Sequence, residues 1–140
     1  MVNPIRAYQD SDYERLKELY LHTEWYGGVF DESRDGREVL ARKIVADPEA
    51  IWVYEQEDEL LGTVSLIEDG RVAWLYRLVI KNNDPAITRL LYEQATTILK
   101  RRGHAQVLVY TPLKNDALHE RYSTLGMNRG GNYTCYWVEL

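Results

Sequence analysis

The residues able to do chemistry in this chain fall into three groups. Asn115 opens one of them, a segment in which Tyr122 and then Gly126 follow at helical spacing. A phenol so placed can donate a proton or a hydrogen bond. The same tyrosine could equally pack a helix onto a sheet. The second group is His22-Thr23-Glu24-Trp25-Tyr26-Gly27-Gly28. Loop aromatics such as Trp25 and Tyr26 often wall a pocket, and Glu24 or His22 beside them is a candidate general base. Each alone is more often a solvated surface residue. The third group, Lys81-Asn82-Asn83-Asp84-Pro85-Ala86-Ile87-Thr88, lies between a strand-like run and a helical one. There Asp84 is a preferred helix N-cap, and Pro85 suits the first helical position, where its missing N–H costs nothing.

Other chemistries lack their residues. His22, His104 and His119 show no metal-ligand spacing among themselves or with Cys135, so no metal site is expected. No serine sits in an elbow motif. Cys135 falls in an apolar run between Thr134 and Tyr136, where a buried, inert thiol is the default.

A chain of 140 residues can bury a core without staples, and a single domain over residues 1–140 is expected. The net charge of −5 and pI near 5.2 argue against nucleic acid as the main partner. No apolar run approaches the roughly 20 residues needed to cross a bilayer. Residues 1–6 lack the basic-then-apolar pattern of a leader, and a single cysteine suits a reducing compartment, so a cytoplasmic chain away from the membrane is expected. The basic run Lys100-Arg101-Arg102 stands just before Gly103, where cations complement a helix C-terminus and glycine caps it.

Periodicity supplies the elements that must hold these groups. Residues 5–8 read as a short strand. A helix capped by Asp10 or Ser11 follows, with Tyr13, Leu16, Leu19, Tyr20 and Thr23 on one face. A second helix spans about 37–46, with Leu40 and Ile44 inward, and Asp47-Pro48 stops it. Strands are expected at 51–56, 61–67 and 71–80, the first two joined by Glu57-Asp58-Glu59 and the next pair by Glu68-Asp69-Gly70. The third is apolar or aromatic on both faces, which places it near the middle of a sheet. Ile87, Leu90, Leu91, Ala95, Ile98 and Leu99 mark the clearest helix. A strand at 107–110, a helix at 115–125, a tiny strand at 127–129 and a last strand at 133–140 complete the order. The fold class is α/β: an α+β mixed sheet of roughly six or seven strands flanked by about four helices.

That order, together with Asn115-Asp116-Ala117-Leu118-His119-Glu120-Arg121-Tyr122-Ser123-Thr124-Leu125-Gly126-Met127, resembles the GNAT superfamily of acyl-CoA-dependent N-acyltransferases. The segment is similar to the family pattern Asn-x-x-Ala-x-x-x-Tyr-x-x-x-Gly-Phe, with Leu118 and Met127 as apolar replacements a core tolerates. The resemblance covers nearly the whole chain. It implies that the strands at 71–80 and 107–110 splay apart around the pantetheine arm of acetyl-CoA, with Leu78, Val79 and Ile80 facing the thioester. It assigns the pyrophosphate to Lys81, Asn82, Asn83, Ala86, Ile87 and Thr88, and a further cofactor contact to Asn115, which can also simply cap its helix. Tyr122 takes the place of the tyrosine near the cofactor sulfur and could act as acid for the departing thiolate. No base is assigned, and Glu24 and His22 are candidates because they precede the aromatic-glycine stretch that borders the acceptor site in this fold. Trp25, Tyr26, Trp74 and Tyr76 would border the acceptor, an amine of a small molecule or peptide. One departure stands out: the family's Arg/Gln-x-x-Gly-x-Gly/Ala loop is replaced by the short, glycine-free Lys81–Thr88 stretch. Three readings therefore stay open. These are N-acetyl transfer from acetyl-CoA, a non-catalytic GNAT-like ligand or partner module, and a homodimer built on the aromatic last strand with Tyr133, Tyr136 and Trp137.

Overall fold

The structure, a computed structural model, describes residues 3–23 and 29–140, in two units, Met1–Tyr110 and Thr111–Leu140. The first unit holds a four-stranded sheet in the order β1-β2-β3-β4, formed by Ile5–Ala7, Ile51–Gln56, Glu59–Glu68 and Ala73–Ile80. Every ladder in it is antiparallel. Short connections explain the β2–β3 and β3–β4 pairs. Glu57 and Asp58 take φ of 52° and 63°, the two-residue turn whose twist matches a hairpin, and Gly70 at φ 87° serves the next one.

Helices cover the sheet. A 3-10 turn, Asp10–Asp12, leads into α1 (Tyr13–Leu21); α2 (Glu32–Asp35) is a single turn, α3 spans Arg37–Ala46 and α4 spans Pro85–Arg101. Tyr13, Leu16, Leu19 and Tyr20 of α1 and Leu40 of α3 join Ile51, Val53, Leu60 and Val79 in one core, with Ile44 packed against it. The α4 stripe Ile87, Leu91, Ala95, Ile98 and Leu99 is buried as its period implies, whereas Leu90 turns outward. Gly103 at φ 90° closes α4, and the N–H groups of Gly103 and His104 cap the carbonyls of Lys100 and Leu99. The basic run there is structural: Arg101 pairs with Glu49, and Arg102 makes two bonds to Asp47 at 2.9 and 3.0 Å.

In the second unit, α5 (Asp116–Thr124) begins at Asn115, whose side chain accepts the Leu118 N–H at 3.1 Å, and stops at Gly126.

Several expectations need correcting. The sheet has four strands, not six or seven, and the chain has five helices among the described residues. Residues 107–110 make one parallel bridge, Trp74 to Leu108, and residues 127–140 carry no regular element. An apolar run is only a capacity for pairing; a strand exists where backbone bonds complete a ladder. Tyr133, Tyr136 and Trp137 are accordingly exposed. β4 ends the antiparallel sheet instead of lying in its middle. The N-cap position of α1 is Asp12, not Asp10 or Ser11, and its carboxylate bonds no helical N–H. Asp12 accepts the Gln9 N–H at 2.8 Å, while Asp10 bonds Arg37.

Asp12 is almost wholly buried and is held by both terminal nitrogens of Arg6, at 2.7 and 2.8 Å, and by Arg15 at 2.7 Å. Both arginines also bond Glu55, tying β1, α1 and β2 together. Burial alone would raise the Asp12 carboxyl, but the bonds from Arg6, Gln9 and Arg15 outweigh it and hold it below the usual range. Its stabilisation is therefore complete above the ordinary carboxylate pKa and is lost as pH falls through the depressed native value. Wild-type stability should fall on acidification below about pH 4, and Asp12→Asn should flatten that limb while lowering stability at neutral pH; urea titrations across pH test this. A second expectation concerns β3. A Cβ on Gly62 would lie 2.8 Å from Leu91 Cδ1 and 2.9 Å from Ile87 Cγ2, so α4 seats directly on that glycine. Gly62→Ala should cost about 1–3 kcal/mol, read as a lower urea midpoint with an unchanged slope.

Candidate active site

The site candidates of the first unit gather on β4, and the strand is irregular where they lie. Thr63 pairs with Val79 and Ser65 with Tyr76, so Arg77 and Leu78 together face the single residue Val64. This is a β-bulge, with Arg77 at φ 51°. Regular alternation would put Arg77 on the buried face of Ala73 and Leu75. The bulge re-aims it.

Arg77 meets Asp35 of α2. Its Nε donates to Oδ1 at 3.0 Å and its Nη2 to Oδ2 at 2.9 Å, with the side chains only 8% and 2% exposed. The Asp35 main-chain carbonyl accepts the Tyr13 hydroxyl at 3.0 Å, linking the pair to α1. The guanidinium also lies 4.7 Å from the Tyr76 ring centroid. Sequence reasoning passed over Asp35 and Arg77. A single arginine inside an otherwise apolar strand was the available signal.

Trp74 and Tyr76 share one face of β4 and are half-buried. The Trp74 ring lies 4.6 Å from that of Tyr110, which is largely exposed, so an accessible aromatic surface does form on this strand. The parallel contact beside it is brief. The Leu75 N–H donates to the Leu108 carbonyl and the Leu108 N–H to the Ala73 carbonyl, each at 2.9 Å. Among the described residues no second rung to residues 107–110 follows, and β4 continues, laddered to β3, through Leu78, Val79 and Ile80. These three are buried.

The turn after β4 is different in character. Lys81–Asn83 forms a 3-10 turn with Asn82 and Asn83 at φ 58° and 50°. Lys81 ion-pairs with Glu59. Asp84 then caps α4: its carboxylate accepts from Ala86 N–H at 2.9 Å and Ile87 N–H at 3.2 Å, and Thr88 returns its hydroxyl to the Asp84 carbonyl at 2.8 Å. The end of β4 is thus neutral and buried, and the start of α4 is closed by the protein's own carboxylate, which does not suit a pyrophosphate.

Asn115 and Tyr122 belong to the second unit. Asn115 is the N-cap of α5. Burial pushes the Tyr122 phenol up from its ordinary value, and the neighbouring Arg121 opposes this without cancelling it. A phenol in that state stays protonated at neutral pH and is a donor. Glu24, Trp25 and Tyr26 lie outside the described residues. His22 sits with its Nε2 3.1 Å from Glu18, on the rim of a cavity of about 370 Å³ that Lys81 and Leu60 also line.

Removing one partner of the buried pair should be costly, because the other charge is left without its compensation. Asp35→Ala is expected to destabilise by about 3–5 kcal/mol, and the double variant Asp35→Ala/Arg77→Met by clearly less than the two single losses together. Denaturant midpoints of all three proteins measure this.

No protein-family model matches the chain, and no curated protein matches it by sequence. Solved structures do match it. PaiA N-acetyltransferase from Thermoplasma acidophilum, in complex with coenzyme A, is similar with a TM-score of 0.74 at 22% identity, over 89% of this chain and 88% of its own. The aminoglycoside 6'-N-acetyltransferase of Acinetobacter haemolyticus gives 0.74 at 13% identity, covering 97% and 98%. Ribosomal-protein-alanine N-acetyltransferase from Brucella melitensis gives 0.68 at 18%, covering 91% and 85%. At such identities the likeness is one of architecture. With the element order and the early parting of β4 from residues 107–110, it establishes that this chain has the fold of the GNAT superfamily.

Proposed function

We propose that the protein is an N-acetyltransferase that moves an acetyl group from acetyl-CoA to an amine of a small molecule or peptide, with residues 1–140 acting as one acyltransferase domain. The observation that carries the reading is that β4 meets residues 107–110 at one parallel rung, Trp74 to Leu108, among the described residues, on a fold whose solved neighbours include N-acetyltransferases of aminoglycosides and of ribosomal-protein alanine. One of those neighbours was solved with coenzyme A.

In this reading Leu78, Val79 and Ile80 line the pantetheine arm. A main-chain N–H around Val79 stabilises negative charge on the thioester carbonyl oxygen. The acceptor must arrive as a neutral amine; its nitrogen forms the new bond to the carbonyl carbon, the C–S bond breaks, and the amine proton leaves to a base. Glu24 is the candidate for that base. Tyr122 protonates the departing thiolate, a role suited to a phenol whose pKa is raised. Trp74 and Tyr76, with Trp25 and Tyr26, border the amine.

One observation favours a second reading. The Asp84 carboxylate at the start of α4 suits a GNAT-fold module that binds another ligand or a partner and catalyses nothing. Incubation with acetyl-CoA and a panel of amines, followed by thiol release and mass spectrometry, separates the two. Acetylated product with stoichiometric free thiol is the expected result, and its absence at millimolar acetyl-CoA would end the enzyme reading. Tyr122→Phe should then lower kcat by about tenfold or more with the fold intact, and the wild-type rate should show no alkaline decline from this phenol below about pH 10.

A further inference from the structure

Coenzyme A has two chemically distinct ends. The pantetheine arm is neutral and extended, whereas the nucleotide end carries a pyrophosphate and a further phosphate. Binding the second end needs free N–H groups at a helix start, or cations not already paired.

The first turn of α4 has no N–H group left over. Pro85 has none, and Ala86 and Ile87 donate to the Asp84 carboxylate. Thr88 donates its N–H to the Asp84 carbonyl at 3.0 Å, within the helix. The accounting of these donors is complete, and the group that closes it is itself an anion. Nearby cations are also committed: Lys81 pairs with Glu59, and Arg89 approaches Glu93 at 3.9 Å. The stronger basic run, Lys100 to Arg102, stands at the opposite end of α4, some 20 Å away at about 1.5 Å per residue. The end of β4, by contrast, is neutral and apolar, with Leu78, Val79 and Ile80 all buried.

We infer that the donor is recognised through its acyl-pantetheine end and gains nothing from its nucleotide diphosphate, so the donor class is acyl-pantetheine thioesters in general. This rests on the acyl-transfer reading and narrows it: the helix start that would grip a pyrophosphate is filled by the protein's own carboxylate.

Calorimetric titration of the full chain with acetyl-CoA, S-acetyl-4'-phosphopantetheine and S-acetylpantetheine tests it, in the wild type, Asp84→Ala and Asp84→Asn. The three dissociation constants for the wild type should agree within about threefold. Asp84→Ala frees two N–H groups and should tighten acetyl-CoA by about five- to tenfold while leaving S-acetylpantetheine within about twofold. Asp84→Asn keeps the cap but removes the charge, so it serves if the alanine variant is poorly folded; it should give a smaller gain of the same selectivity. Acetyl-CoA binding more than about 30-fold tighter than S-acetylpantetheine in the wild type would overturn the inference, as would a lack of selective gain in both variants. Binding of none of the thioesters would overturn it together with the acyl-transfer reading. Equal binding of all three without acetylation of any amine would remove the catalytic reading alone.

Discussion

The bulge of β4 and the ion pair it presents set the terms for the rest of the first unit. A charged side chain in the middle of an apolar strand has two outcomes: it enters the core at a cost of several kcal/mol, or the strand yields. Here the strand yields. Two residues, Arg77 and Leu78, stand against Val64, and Arg77 turns to a bidentate bond with Asp35. The deformation has a second effect on the same strand. Trp74 and Tyr76 keep one face before the bulge, and Val79 returns to the core after it. The parallel contact with Leu108 belongs to the regular part of β4 and goes no further.

Around that strand, charge is used sparingly and in closed groups. Arg6 and Arg15 converge on Asp12 and Glu55; Arg101 and Arg102 converge on Asp47, Glu49 and Glu68. These groups join elements distant in sequence, β1 to α1 and β2, and the end of α4 to the start of β2. The start of α4 follows the same habit on a smaller scale. Asp84 satisfies the amides of its own helix, a stable arrangement worth about 1 kcal/mol as a cap, and in doing so removes the feature that would attract an external anion. Stability and ligand affinity compete for the same N–H groups.

Fold and function separate cleanly here. The architecture is that of the GNAT superfamily, yet an architecture hosts many chemistries, and identities of 13% to 22% carry no substrate with them. What the structure adds is local: the bulge of β4 with its Arg77–Asp35 pair, and the start of α4 filled by Asp84.

How much could be read beforehand depended on the range of the physics involved. Local signals were sufficient for the hairpin at Glu57-Asp58, for α4 from its apolar period, for its Asp84-Pro85 start and Gly103 stop, and for Asn115 as the cap of α5, because each depends on residues within a turn or two. Strand count was not local. Residues 107–110 and 133–140 have the apolar character of strands, but the ladder that makes a strand needs a partner far along the chain, and the expected sheet of six or seven shrank to four. The Arg77–Asp35 pair spans a separation of 42 residues and was equally out of reach. Sequence by itself determined where α3, α4 and α5 start and stop, since capping and periodicity act between neighbours. Only the tertiary structure decided which strands pair, where β4 bulges and which carboxylate meets which cation, since those outcomes depend on groups that become neighbours after the chain has folded.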